Sequence, residues 1–516
     1  MNMNGAESLI RTLVANKVDT CFANPGTSEM HFVSALDRVA GVRCVLGLAE
    51  IVVTGCADGY GRMLGKPAAT LLHCGPGFTN SIANVHNARR AMTPMLNIVG
   101  DHASYHQVYD SPLTSELENF ARASSHWVRT SVASQTVGAD CSAAVQAANS
   151  PPGQIATLIL PADTAWSEGG EVGPVLEASK RSKVDIHLIH AVADLIKRGE
   201  PTVFVLFGQA LSEEGLLAAN RVTSVAPHVT LRTNAQVSKM ARGRGRVPVD
   251  RIPYAIDQAQ KALEGVAHVV LVAAKPPSAF FAYPGKPSLI APKGSSTTVL
   301  AKAADDCVQA LHLLADALGA ESRPPVKASA LMPELVSGPF EPTAFAMTFA
   351  SLLPENAIVC EDAVTSGRGL FAPTFNAAPN DWLQNTGGAI GHAFPCATGA
   401  AIACPDRQVI CLQADGAGMY SLQSLWTQVR ENLNIVNVVF ANRIYKILQG
   451  ELLAVGAKPG PASNELFDLS RPEIEWTQIA RGMGMESVSV TTLEGFADVF
   501  KAACKRKGPF LIEFKI

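Results

Sequence analysis

Short apolar runs alternate with stretches of helical period along most of this chain, and that alternation leaves few folds open. Asp19–Ala23 reads as a strand, Asn24-Pro25-Gly26 as a turn, Ser28–Arg38 as a helix and Val42–Leu48 as a second strand. Glu50–Met63 follows as a helix, Ala68–His73 as a strand, Phe78–Ala91 as a helix and Met95–Val99 as a strand. Strands separated by helices cannot pair as hairpins, so they form parallel sheets covered on both faces. A polar, glycine-rich stretch, Trp166–Asp185, reads as a linker. Strands resume near Thr202–Phe207 and Ala267–Ala273, up to a second break at Gly319–Pro342 that carries Pro324, Pro325, Pro333, Pro339 and Pro342. The last segment holds strands at Ala357–Cys360, Gln408–Gln413, Ile435–Ala441 and Phe510–Phe514. The expectation is an α/β protein of three doubly wound parallel-sheet domains, 1–170, 186–330 and 340–516. Its 516 residues suit three domains of about 150 each.

Doubly covered sheets demand apolar material, and 47% of residues are hydrophobic against 17% charged. A net charge of −3 argues against a nucleic-acid surface. The basic clusters Arg242–Arg246 and Lys505–Lys507 read as solvated loops. No apolar run approaches the ~20 residues of a membrane span, and Met1–Ser8 lacks the build of a signal peptide. Eleven cysteines without a Cys-x-x-Cys, some in apolar segments (Cys44, Cys411), suit reduced core thiols and a cytoplasmic location.

Chemistry concentrates between Arg407 and Gln449. Asp415 and Asn442 stand at the carboxyl ends of two successive strands, where open sheets gather ligands. A carboxylate and an amide oxygen are hard donors suited to Mg²⁺ on a diphosphate. Gly416 permits close backbone approach, and the helix start after it can face a phosphate. Asp-Gly alone is a common turn pair. The spacing says more: Ala414-Asp415-Gly416-Ala417, then Ala441-Asn442, resembles the Gly-Asp-Gly to Asn-Asn signature of the thiamine-diphosphate enzymes that include acetolactate synthase, benzoylformate decarboxylase and pyruvate decarboxylase. The resemblance implies Mg²⁺ ligation by Asp415, Asn442 and the Ile444 carbonyl, and cofactor contacts at Gly416, Ala417 and Tyr445. Ala414 and Ala441 depart from the signature without removing a ligand.

Glu50 lies alone among apolar residues ahead of Ala57-Asp58-Gly59-Tyr60-Gly61-Arg62. Burial there is expected to raise its pKa, although a Glu at a helix start also serves the dipole. The resemblance makes it the residue that bonds the aminopyrimidine ring of the cofactor and drives its imino tautomer. It also implies cofactor contacts at Pro25, Gly75 and Gly388, with Ile390, in Gly387–Pro395, as the apolar wedge that bends the cofactor. The three domains become pyrimidine-binding, central and diphosphate-binding. Glu50 and Asp415 of one site would come from different subunits, so a homodimer is the minimum and a homotetramer is expected.

Asn24–Glu29 and Leu72–Gly77 look most like benzoylformate decarboxylase, which makes Thr27 and His73 the candidates for substrate carboxylate and proton handling. A strand-end histidine bonded to a carbonyl is the plainer reading of His73. His102 is assigned to the same pocket and His106 to a surface loop. Ile447 and Glu451, after the metal loop, are assigned to the pocket wall. The loop Ala279–Pro284 holds no histidine where that decarboxylase has its second one, and Leu448 stands where pyruvate decarboxylase has an acid. Fewer proton donors, with Gly75–Asn80 close to the acetolactate-synthase pattern, favour decarboxylation of a 2-oxo acid followed by carboligation. A simple decarboxylase and a non-catalytic homologue are the alternatives. FAD, carried by acetolactate synthases, is possible but not favoured, because the chain is short and 186–330 has no Gly-x-Gly-x-x-Gly.

Overall fold

The computed structural model describes residues 3–320, 326–329 and 331–516. Met1, Asn2, Pro324 and Pro325 lie outside them. Strands β1 (Thr20–Ala23), β2 (Arg43–Leu46), β3 (Ala68–His73), β4 (Met95–Asp101), β5 (Trp127–Thr130) and β6 (Ile155–Pro161) form a parallel sheet in the order β2-β1-β3-β4-β6-β5. The second sheet uses β7 (Thr202–Leu206) and β8 (Val229–Thr233). Past β9 (Met240–Arg242), it continues with β10 (Asp250–Arg251), β11 (His268–Val272) and β12 (Ser296–Ala301), in the order β10-β8-β7-β11-β12. The third contains β13 (Ala357–Asp362), β14 (Asn380–Gln384), β15 (Val409–Ala414), β16 (Ile435–Ala441), β17 (Glu486–Val490) and β18 (Phe510–Lys515). Its order is β17-β18-β16-β15-β13-β14-β9, so the middle stretch lends it an edge strand, antiparallel to β14.

That edge strand corrects the reading of Arg242 as solvated. Its side chain is fully buried, with the guanidinium 3.8 Å from the Phe371 ring centroid and 4.2 Å from that of Phe375. Aromatic faces take the place of water around the charge. Cys44 departs in the other direction: β2 is an edge strand, and the residue is exposed. The helix Gly5–Ala15, capped by the Asn4 side chain on the Glu7 amide, was not legible beforehand. The helix expected from Phe78 starts at Cys74, directly off the tip of β3, and Ser28–Arg38 divides into a 3₁₀ turn at Thr27–Glu29 and a helix at Met30–Arg38. Among the described residues no helix is long and apolar enough to cross a membrane.

The first and third sheets share one core, joined through the helices Glu50–Leu64 and Ala393–Ala403. Small residues set their separation. A Cβ on Gly59 would lie 2.0 Å from the Cys396 carbonyl oxygen, and one on Gly399 would lie 1.8 Å from that of Cys56. A buried charge cluster crosses the same seam. Arg62 donates twice to Asp58, at 2.8 and 2.6 Å, Thr93 Oγ1 donates to it at 2.6 Å, and His392 Nε2 lies 2.7 Å from it. Burial opposes the charge on His392, but Cys396 and Asp58 outweigh it and push its pKa up to about 9.

Two outcomes are expected. Gly59→Ala should lower stability by about 1–3 kcal/mol in chemical unfolding, because backbone cannot yield as a side-chain tip can. Since His392 is raised above its ordinary 6.5, the stabilisation from its charge is complete below that pH and lost as pH climbs through about 9. The thermal midpoint should therefore fall between pH 7 and 10, and less so in His392→Phe; equal slopes would contradict this.

Candidate active site

Strand order locates the site before any side chain is considered. In the first sheet β1 connects to β2 on one side, and β2 returns to β3 on the other, so β1 and β3 flank a topological switch point. Thr27 follows β1 and His73 ends β3, which is why residues far apart in sequence meet. Both line a cavity of about 240 Å³ with His102, Cys74 and Trp166. His106, assigned to a surface loop, also lines it, its ring 5.7 Å from that of His102.

Beneath His73 lies Glu29, a residue whose role was missed. The residue is 3% exposed, and its carboxylate accepts a 2.7 Å bond from the Gly26 amide and sits 3.0 Å from His73 Nδ1. A carboxylate on Nδ1–H leaves Nε2 of a neutral imidazole as the acceptor, the tautomer a proton carrier needs. The available signal was a Glu three residues after a turn glycine, a spacing that returns the side chain to the turn amide. Burial pushes the neighbouring Cys74 thiol up to about 11. Glu50 opens its helix nearby, with Asn80 Nδ2 donating to it at 3.3 Å. The burial expected for Glu50 is incomplete in a single chain: the side chain is half-buried, beside Leu48, which is 43% exposed.

In the third sheet the switch point falls between β13 and β15. Asp362, at the tip of β13, accepts from the amides of Gly391 and His392 at 2.7 and 3.0 Å, which fixes the far end of the glycine loop. Asn385 and Asn87 hold its near end, donating to the Ala389 carbonyl at 2.7 and 2.8 Å. Ile390 is thus carried on a loop tied to both sheets. β15 and β16 are direct neighbours, in register up to Ala414 and Phe440, so Asp415 and Asn442 emerge side by side. Asp415 is 3% exposed, and its carboxylate accepts from the Gly416 amide at 2.8 Å and the Arg443 amide at 2.7 Å. Burial raises its pKa, against the pull of those two amides. Asn442 Oδ1 accepts from the Ile444 amide at 3.0 Å. A Cβ on Gly416 would lie 2.5 Å from the Tyr445 ring, so this close approach requires glycine.

Glu451 does not stand free in a pocket. Tyr254 donates to one carboxylate oxygen at 3.0 Å and Tyr283 donates to the other. This clamp ties the helix Lys446–Ala454, which carries Ile447 and buries no residue fully, to the second sheet's loops. Phe280, 5.4 Å from Tyr254, reaches the bare Cα side of Gly388. A larger cleft of about 870 Å³ opens at the tips of β7, β8 and β11, walled by Arg89, Arg90 and Lys275.

Residues 3–123 match the family model described as thiamine pyrophosphate enzyme, N-terminal TPP binding domain, and residues 369–514 match its C-terminal TPP binding domain. A Mycobacterium tuberculosis protein provisionally named acetolactate synthase large subunit IlvX is 46% identical over 514 residues, 99% of this chain and 98% of its own. This chain belongs to the thiamine diphosphate enzyme family. Benzoylformate decarboxylase of Pseudomonas aeruginosa is 25% identical across 96% of this chain and 95% of its own. The solved thiamine diphosphate-dependent 4-hydroxybenzoylformate decarboxylase of Rhodococcus jostii RHA1 shares the fold, with a TM-score of 0.87, 21% identity and 99% coverage of both chains.

The protein is therefore an enzyme of the acetolactate synthase and benzoylformate decarboxylase type that uses thiamine diphosphate. Its two strand-tip sites suit the two ends of such a cofactor. The Asp415–Asn442 tip offers hard oxygens and a glycine cradle, and the Thr27–His73 tip offers acid–base groups. In this thiamine diphosphate enzyme the position expected to meet substrate as a carboxylate is engaged by two tyrosines. Desolvation and then Glu451 raise the pKa of Tyr254, and desolvation with the Glu451 bond raises that of Tyr283. In Glu451→Gln both phenols should ionise at lower pH in an absorbance titration; an unchanged titration would disprove the clamp.

Proposed function

We propose that this enzyme decarboxylates a 2-oxo acid and joins the remaining fragment to a carbonyl acceptor, with Mg²⁺ and thiamine diphosphate held between subunits. Asp415, Asn442 and the Ile444 carbonyl would hold Mg²⁺ on the diphosphate, with Gly416, Ala417 and Tyr445 packed against it. Ile390 and Gly388 would meet the cofactor's middle, and Pro25, Gly75 and Glu50 its pyrimidine ring. When bound, the cofactor supplies the carbon nucleophile and the electron sink for CO₂ loss. Glu50 exchanges a proton with the ring, Thr27 binds the substrate carboxylate, and His73, oriented by Glu29, moves protons at the substrate oxygen. The half-exposed state of Glu50 supports completion of the site by a second copy, in a homodimer or a homotetramer. Segments 1–170, 186–330 and 340–516 serve as pyrimidine-binding, central and diphosphate-binding domains, and the protein works in the cytoplasm. Both steps are redox-neutral, so the reading calls for no FAD.

The commitment of Glu451 to Tyr254 and Tyr283 carries the preference for carboligation. With Leu448 apolar, that helix presents no free acid to protonate the decarboxylated fragment, which then survives to attack a carbonyl. Pyruvate and aromatic 2-oxo acids supplied with cofactor and Mg²⁺ should give 2-hydroxyketones by mass spectrometry. Aldehyde as the sole product would establish the simple decarboxylase instead.

Two substitutions separate the assigned roles. Glu50→Gln should retain cofactor, measured by fluorescence quenching, while turnover drops roughly 10²–10⁴-fold. Asp415→Ala should lose Mg²⁺-dependent cofactor binding itself; retention at wild-type affinity would remove Asp415 from the metal site.

A further inference from the structure

Four donor atoms meet at the floor of the 240 Å³ cavity, and the chemistry above engages only part of them. His73 Nδ1 lies 3.0 Å from Glu29 Oε2, 3.0 Å from Ser28 Oγ and 3.7 Å from Cys74 Sγ. Ser28 Oγ lies 3.3 Å from the same sulfur. The side chains come from the two strand tips of the switch point, after β1 and at the end of β3. Glycines make room for them. A Cβ on Gly26 would lie 2.2 Å from the His73 ring, and one on Gly100 would lie 1.8 Å from a Glu29 carboxylate oxygen. Glu29 and Cys74 are buried, while the His73 side chain keeps 22% of its surface open toward the cavity.

Tetrahedral Zn²⁺, with bonds of about 2.0–2.3 Å to oxygen, nitrogen and sulfur, holds its ligand atoms roughly 3.3–3.8 Å apart. The spacings from His73 and from Ser28 to the sulfur fall within a few tenths of an ångström of that, and the ligand atoms of Glu29, His73 and Cys74 all lie within 4.8 Å of one another. Carboxylate, imidazole and thiolate are all zinc ligands, whereas Mg²⁺ takes oxygen in octahedral geometry. The same chain thus presents one cluster matched to zinc and, at Asp415 and Asn442, another matched to magnesium.

We propose that Glu29, His73 and Cys74 form a tetrahedral Zn²⁺ site, with Ser28 Oγ or a substrate oxygen as fourth ligand, and that its occupation inhibits the enzyme. Formation of the Zn–S bond breaks the S–H bond and releases one proton to solvent, and as His73 Nδ1 takes the metal its proton passes to Nε2, with no change of oxidation state. The metal replaces the Glu29 carboxylate as the partner of His73 Nδ1 and closes the cavity floor. Binding rests on the four donors alone; inhibition rests also on the role proposed for His73.

The test uses Co²⁺ as a spectroscopic stand-in for Zn²⁺, added to enzyme already loaded with thiamine diphosphate and Mg²⁺. One equivalent per chain should bring a near-ultraviolet thiolate-to-cobalt band and the intense visible bands of four-coordinate Co²⁺, all displaced by Zn²⁺. Cys74→Ser should remove the thiolate band. Glu29→Gln should weaken Co²⁺ binding on the order of 100-fold. Only the faint bands of octahedral Co²⁺, or a thiolate band that survives Cys74→Ser, would overturn the site. Zn²⁺ binding with undiminished turnover would uphold the site and overturn the inhibition, and with it the role of His73 rather than the cofactor chemistry.

Discussion

The seam between the helices Glu50–Leu64 and Ala393–Ala403 governs the rest of the molecule. Gly59 and Gly399 bring two backbones to carbonyl contact, and at that separation Asp58, Arg62 and His392 close into one buried cluster. A buried ion pair adds little net stability once desolvation is counted, but it penalises every misplaced register, because each displaced charge would be left unpaired. The seam therefore acts chiefly as a positioning device. His392 belongs to it through its side chain and to the strand-tip site through its backbone, whose amide donates to Asp362. One residue thus connects the packing of two sheets to the loop that carries Ile390.

The candidate site residues are distributed by the same topology twice. Each outer sheet has a switch point, and each switch point collects residues from strands distant in sequence: Thr27 with His73 in one, Asp362 with Asp415 in the other. The second sheet contributes through its loops. Tyr254 and Tyr283 fasten the helix that follows Asn442, and Phe280 closes over Gly388. Loops of the second sheet therefore pack against the strand-tip loops of the third.

Much of this was legible in the chain itself. Parallel strands buried on both faces are continuous apolar runs, and those bounded by turn residues were found close to their observed limits. β14 was missed because Asn380 and Asp381 give it a polar start, and the helix Gly5–Ala15 because no strand precedes it. Thr27, His73 and His102 share a cavity as expected, since strand-end residues in a doubly wound sheet have one edge on which to gather. The partners of Glu451 were out of reach of the sequence, because Tyr254 and Tyr283 lie 197 and 168 residues earlier in the chain. Glu29 went unnoticed for the converse reason, because a turn glutamate resembles a local cap.

Residue order alone determined the fold class, the strand tips on which the candidate residues stand and the placing of Asp415 beside Asn442, because periodicity and spacing along neighbouring strands are local properties. Only the tertiary structure decided that Arg242 is caged by aromatic rings, that Asp58 meets His392, that Glu451 is engaged by tyrosines and that four donors converge around His73. Each of those depends on residues from separate segments arriving at one point in space, and side-chain identity carries no record of distance until the packing of the helices has set it.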